Sequence, residues 1–132
     1  MYTLHFDGCS KSNPGKAGAG AVLYEHAVEV GAWSSFVGER KTNNEAEYNG
    51  LLLGLQKCLE KGVRQVNVKG DSLLVIRQMN GEYQVKSVLL LPLYKQAKEM
   101  VSLFDSVIFT HVYRNDNKRA DELSNIGCKI EL

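Results

Sequence analysis

Fifteen of the 132 residues are Asp or Glu, and position separates those able to do chemistry from those that solvate a surface. Asp7 follows the alternating run Tyr2–Phe6 and Asp71 follows Gln65–Gly70, so each stands where a strand gives way to a loop or helix. In an open α/β sheet, ligands bind at that edge. The register of 65–71 puts Val66 and Val68 on one face and Asn67, Lys69 and Asp71 on the other. Phe6 and Asp7 are divided between faces in the same way. Thr42-Asn-Asn-Glu45 matches the capping box, which gives Glu45 a structural task at a helix entrance. Glu47 differs: it lies four residues before Leu51, itself four before Leu55, so it prolongs the apolar stripe. It points roughly 200° around the helix from Glu45, and a carboxylate facing inward is costly unless something satisfies it. Asn117 and Asp121 share a face of a last helix beside Ala120 and Leu123. Carboxylates converging from these elements would repel one another and hold protons unless a cation bound among them. An all-oxygen set without Cys or His suits Mg²⁺ or Mn²⁺.

The elements that must position these residues follow from periodicity. Tyr2–Phe6, Ala17–Glu25 and Ala27–Val37 read as an antiparallel meander, with Asp7-Gly8 ending the first strand and turn chemistry over Cys9–Lys16. From Asn43 the period becomes helical for about 18 residues, closed by Lys61-Gly62. Gln65–Gly70 is a short strand, Ser72–Met79 a short helix and Asn80-Gly81 a turn. Leu90, Leu93, Tyr94, Ala97, Met100, Val101 and Phe104 mark a further helix, Ser106–Tyr113 a last strand and 117–126 a last helix. The order is βββαβααβα in one α/β domain over residues 1–132, and right-handed crossovers make the first, fourth and fifth strands parallel. The glycines at 15, 18 and 20 lead into a strand, which favours close packing over nucleotide binding. Trp33 belongs with the core.

Composition narrows the class. Sixteen basic residues against fifteen acidic ones leave a net charge of +1, so any surface for a polyanion is a local patch. The apolar run Val88–Leu91 falls far short of a membrane span. No signal-peptide pattern is present, which predicts a cytoplasmic or other intracellular compartment. Three scattered cysteines, Cys9, Cys58 and Cys128, make neither a disulfide framework nor a zinc site, with a Cys58–Cys128 bridge left open.

Four runs carry a resemblance to type 1 ribonuclease H: FDGCSKSNPG (6–15), TNNEAEYNGLLLGL (42–55), VKGDSLLV (68–75) and HVYRNDNKRADELSN (111–125). The sequence is most similar to the compact subgroup that ends in HVxRxxNxxAD. The resemblance spans nearly the whole chain and implies a ribonuclease H-like five-stranded mixed sheet flanked by helices. It also implies hydrolysis of the RNA strand of an RNA–DNA hybrid, leaving 5′-phosphate and 3′-hydroxyl ends. Carried over by position, the catalytic and metal-holding carboxylates are Asp7, Glu47, Asp71 and Asp121, with two Mg²⁺ or Mn²⁺ ions as cofactors. Asp7 would bridge the ions, Glu47 and Asp71 complete one site, and Asp121 belong to the more mobile second. The substrate contacts so implied are Gly8, Asn13, Asn43 and Asn44, whose amides suit hydroxyls and base edges. The implied partner is the hybrid alone, without membrane or obligate protein, for a monomer.

The sequence also departs from the family pattern. The segment before Asp121 is short and lacks the loop histidine of many bacterial members, and His111 aligns with a strand residue, packed or hydrogen-bonded there. The basic insertion that some members use to grip DNA is missing from 80–92, which predicts salt-sensitive binding. Leu73 stands where many members carry a groove-reaching glutamine. Lys11, Lys16, Arg40, Lys41 and Lys118 are available to phosphates but read first as solvated surface. The alternative reading is a catalytically weak hybrid- or double-stranded-RNA-binding domain of the same fold.

Overall fold

The computed structural model describes residues 1–130. Its elements, in chain order, are β1 (Tyr2–Ser10), β2 (Gly15–Glu25), β3 (Val28–Lys41), α1 (Asn43–Glu60), β4 (Gln65–Gly70), α2 (Leu73–Met79), α3 (Leu91–Val101), β5 (Ser106–His111) and α4 (Lys118–Cys128). A single 3-10 turn, Arg114–Asp116, precedes α4. The five strands form one mixed sheet in the order β3-β2-β1-β4-β5. β1 to β3 are antiparallel, and β1, β4 and β5 run parallel, as the crossover rule requires. No helix among the described residues is long and apolar enough to cross a membrane.

Several strand boundaries differ from the sequence reading, among them the start of β2, which is Gly15 rather than Ala17. β1 does not end at Asp7-Gly8 but continues to Ser10, because β2 keeps pairing with it as far as Ser10↔Ala17. On its other side the parallel ladder with β4 stops at Phe6↔Gly70. Asp7 is therefore inside one ladder and just past the end of the other. β3 runs on to Lys41, beyond Val37, through irregular pairing with the first residues of β2. β5 stops at His111 rather than Tyr113, since its partner β4 ends at Gly70.

Packing follows the alternation of β1. Leu4 and Phe6 are fully buried against α1, whose Tyr48, Leu51 and Leu55 lead the main core with Leu23, Val66 and Val68. Complete burial of each such side chain stabilises the fold by roughly 1.5–3 kcal/mol. α4 covers the opposite face of β1 to β3 around Val22, Ala120 and Leu123. The glycines of β2 allow this, since a Cβ at Gly20 would meet Ser124 and Ala120 of α4. Trp33 is partly buried against the main core.

The bridge left open between Cys58 and Cys128 is not formed. All three are free. Cys58, in the last turn of α1, points into the main core, whereas Cys128 ends α4 on the other side of the sheet, where its thiol donates to the Cys9 carbonyl at 3.2 Å. The sheet separates the two partners of the bridge that the sequence left open.

Candidate active site

The parallel ladder explains why two aspartates meet. Phe6 and Gly70 form its last rung, and Asp7 and Asp71 are the next residue of each strand, so they emerge side by side. α1 supplies the third carboxylate. Thr42 caps the helix, its hydroxyl accepting from the Glu45 amide at 3.1 Å, while Glu45 Oε1 accepts from the Thr42 amide at 3.0 Å. That reciprocal pair occupies Glu45 and leaves Glu47, one half-turn on, facing the strand ends.

Main-chain contact brings α1 this close. A Cβ on Gly8 would overlap the backbone of Ala46 and Glu47, and a Cβ on Gly50 would overlap the Asp7 carbonyl. Only glycine fits at these two positions.

Carboxylate oxygens of Asp7, Glu47 and Asp71 come within 4.8 Å of one another. Asp121, in the first turn of α4, lines the same open pocket of about 510 Å³ but stands outside that tight cluster. Burial, and next the charge of Asp71, push the Asp7 carboxyl up to about 7. Burial, then the charge of Asp7, raise Glu47 well above the ordinary carboxylate range. Burial raises Asp71 as well, opposed by a hydrogen bond from Asn117 and by the positive charge of Arg114. Among the described residues, Glu47 Oε2 is buried with no hydrogen-bond partner. The oxygens around it are themselves acceptors, so a shared proton or a cation is what satisfies it. The donor set, carboxylate oxygens with neither thiolate nor imidazole, fits a hard divalent ion.

The expected substrate residues divide into two groups. Asn43 is part of a clip: its Oδ1 accepts from the Ser10 amide and its own amide donates to Asn13 Oδ1, both at 2.9 Å. Gly8 and Asn43 line the carboxylate pocket. Asn13 and Asn44 line a second pocket of about 410 Å³ with Thr42, Gln78, Gln84 and Lys86. His111, at the end of β5, lies at the first pocket, 3.3 Å from the Asp71 carbonyl and edge-on to Tyr113.

Sequence reasoning missed Arg114 and Asn125, which also line the carboxylate pocket. Asn125 was findable: it follows Asp121 by one helical turn and donates to its Oδ1 at 3.3 Å. Arg114 was findable too: it is the arginine of the HVxRxxNxxAD ending, carried on a 3-10 turn just before α4.

Comparison with known proteins agrees with this architecture. Residues 5–127 match the family described as Reverse transcriptase-like. The chain is 36% identical to ribonuclease HI of Halobacterium salinarum, covering 92% of this chain and 61% of that one. It is 41% identical to a bifunctional protein of Mycobacterium tuberculosis, over 92% of this chain and 34% of that one. It thus spans about a third and three fifths of these relatives' lengths. Among solved structures, that of LC11-RNase H1 in complex with an RNA/DNA hybrid superposes with a TM-score of 0.91 at 30% identity, covering 97% of this chain and 96% of the other. With its mixed sheet, its strand-end aspartates and a family match over nearly all its length, the chain belongs to the type 1 ribonuclease H family, within the reverse transcriptase-like group.

Proposed function

We propose that this chain is a divalent-metal-dependent endoribonuclease that hydrolyses the RNA strand of RNA–DNA hybrids, leaving 5′-phosphate and 3′-hydroxyl ends. One observation carries the reading: three carboxylates of raised proton affinity lie within 4.8 Å of one another, one with an orphaned buried oxygen. Such a set is poised to exchange its protons for cations. Asp7, Glu47 and Asp71 as a tight set, with Asp121 from the wall of the same pocket, would hold two Mg²⁺ or Mn²⁺ ions. Bound there, the ions supply an activated water and charge stabilisation for the leaving 3′-oxygen.

The chain's own groups do the remaining work. The Gly8 amide donates to Asp7 Oδ1 at 2.8 Å and fixes that carboxylate's rotamer. Arg114 sets a positive charge at the pocket wall, where a phosphate oxygen arrives. Asn43 at the first pocket, beside Gly8, and Asn13 and Asn44 at the second present side-chain amides to the minor groove, where the 2′-hydroxyl distinguishes RNA from DNA. Residues 1–132 act as one monomeric unit.

The test is cleavage of a labelled 20-mer RNA annealed to DNA, beside RNA–RNA, DNA–DNA and single-stranded RNA, each with Mg²⁺, Mn²⁺ or EDTA. Cutting of the hybrid that is lost with EDTA and in Asp71→Asn is the expected result. A hybrid that is bound but left intact with both metals would make the protein a binding domain instead.

A further inference from the structure

Asn117 occupies the N-cap position of α4, where an asparagine ordinarily turns its side chain onto the helix, yet it makes no capping bond. Its carboxamide is buried instead, 2% exposed, and turned toward β1. There Nδ2 donates to the Phe6 carbonyl at 2.9 Å and, through its second hydrogen, to the Asp71 carboxylate, and Oδ1 stands 3.0 Å from His5 Nδ1. The Phe6 carbonyl can only accept, so the amide nitrogen must face it and the amide oxygen must face His5. His5 Nδ1 therefore carries a proton. Both the neutral Nδ1–H form and the doubly protonated ring satisfy this arrangement, so it does not depend on titration of the imidazole. The ring itself is held edge-on to Tyr24, with centroids 5.6 Å apart.

The position of this relay gives it its consequence. Phe6 immediately precedes Asp7, and the Asn117 carbonyl accepts the Asp121 amide at 3.0 Å in the first turn of α4. One buried side chain thus joins the strand carrying Asp7 to the helix carrying Asp121.

We propose that His5 is a positioning residue: by donating to Asn117 it holds the carboxamide in the one orientation that ties α4 to β1, and so sets where Asp121 stands relative to Asp7 and Asp71. The inference rests on the reading of those carboxylates as a cation site. Without the imidazole donor, the Asn117 oxygen is left buried and unpaired, and the side chain gains by turning outward to cap α4. Asp121 then loses its fixed distance from the other three. Partners that orient metal ligands typically alter affinity by about 10-fold or more when removed.

The experiment compares wild type, His5→Leu and His5→Asn, since asparagine places an N–H donor near the site of Nδ1. Mn²⁺ binding is titrated calorimetrically without nucleic acid, the Asn117 side-chain amide protons are followed by NMR, and thermal unfolding is recorded. His5→Leu should weaken Mn²⁺ binding roughly 10-fold and turn a slowly exchanging Asn117 amide into a fast one, with His5→Asn close to wild type in both. A His5→Leu protein that melts lower but keeps both its Mn²⁺ affinity and its protected amide would overturn the inference. Equal weakening in both variants would overturn it too, because the donor would then not be the cause. Wild type that binds Mn²⁺ as expected yet cuts no hybrid would leave the positioning role standing and remove the nuclease reading; wild type that binds no Mn²⁺ would remove both.

Discussion

Glu47 and Asp7 bring their carboxylates together where α1 meets the end of β1, and Glu47 Oε2 is buried there with no hydrogen-bond partner. Two acceptors placed in this way store a cost that the metal-free protein bears. Glu47→Gln supplies the missing N–H. In EDTA at pH 7.5 this variant should gain roughly 1–3 kcal/mol of stability, read as a rise in melting temperature, while hybrid cleavage falls to background. A lower melting temperature would contradict this account of the pair.

The same cost gives the metal-free protein a characteristic pH dependence. The Asp7 carboxyl has an ordinary value of 3.8, which burial first and Asp71 second move to about 7 in the fold. Between those values the native state binds more protons than the unfolded chain, so stability falls as pH rises from about 4 to about 7. The loss from this one group is on the order of 2–4 kcal/mol. Thermal unfolding in EDTA across pH 4.5–7.5 should show that slope. Asp7→Asn should reduce that slope and leave the part contributed by buried Glu47, and saturating Mg²⁺ should reduce it further, since a cation replaces the protons.

Asn43 and Asn44 are neighbours with separable roles. Asn43 bonds to Ser10 and Asn13, so Asn43→Ala should lower both melting temperature and hybrid affinity. Asn44 is exposed at the second pocket. Asn44→Ala should raise KM for the hybrid by roughly 2–10-fold, the worth of one hydrogen bond, with kcat and melting temperature unchanged. Steady-state kinetics beside thermal unfolding checks both variants.

Thiol chemistry should follow burial. Burial pushes the Cys58 thiol up to about 12, and the Cys128 thiol to about 11 with help from Cys9. At pH 8 both are held as the unreactive thiol. Iodoacetamide should therefore label Cys9 first in the folded protein, with Cys58 modified only after denaturation. Peptide mass mapping over time distinguishes this order. A Cys58–Cys128 crosslinked peptide under non-reducing conditions would contradict the placement of those residues on opposite sides of the sheet.

Much of this arrangement was legible in the sequence because it rests on local patterns. Alternation placed β4 over Gln65–Gly70 and divided Val66 and Val68 from Asp71; the capping box fixed the start of α1 and separated the role of Glu45 from that of Glu47. What was hidden depends on pairing between distant segments. The reach of β1 to Ser10 is set by β2, and no residue near Ser10 announces it. In the sequence Asn117 is only a residue sharing a helix face with Asp121, until Phe6 and His5, more than a hundred positions away, are seen to claim its side chain. The distance of Asp121 from the three-carboxylate cluster belongs to the seating of α4, which helical periodicity does not describe.

The glycine contacts between β1 and α1 have a consequence for how such a protein can diverge. The separation of Asp7 from Glu47 is gauged by backbone resting on backbone at Gly8 and Gly50, not by the bulk of neighbouring side chains. Leucines deeper in α1 can exchange for other apolar residues, with the interior adjusting around them, while the spacing at the strand end stays the same. Lineages can rewrite most of the interior and keep the carboxylate spacing, provided two residues with no side chain of their own are inherited intact.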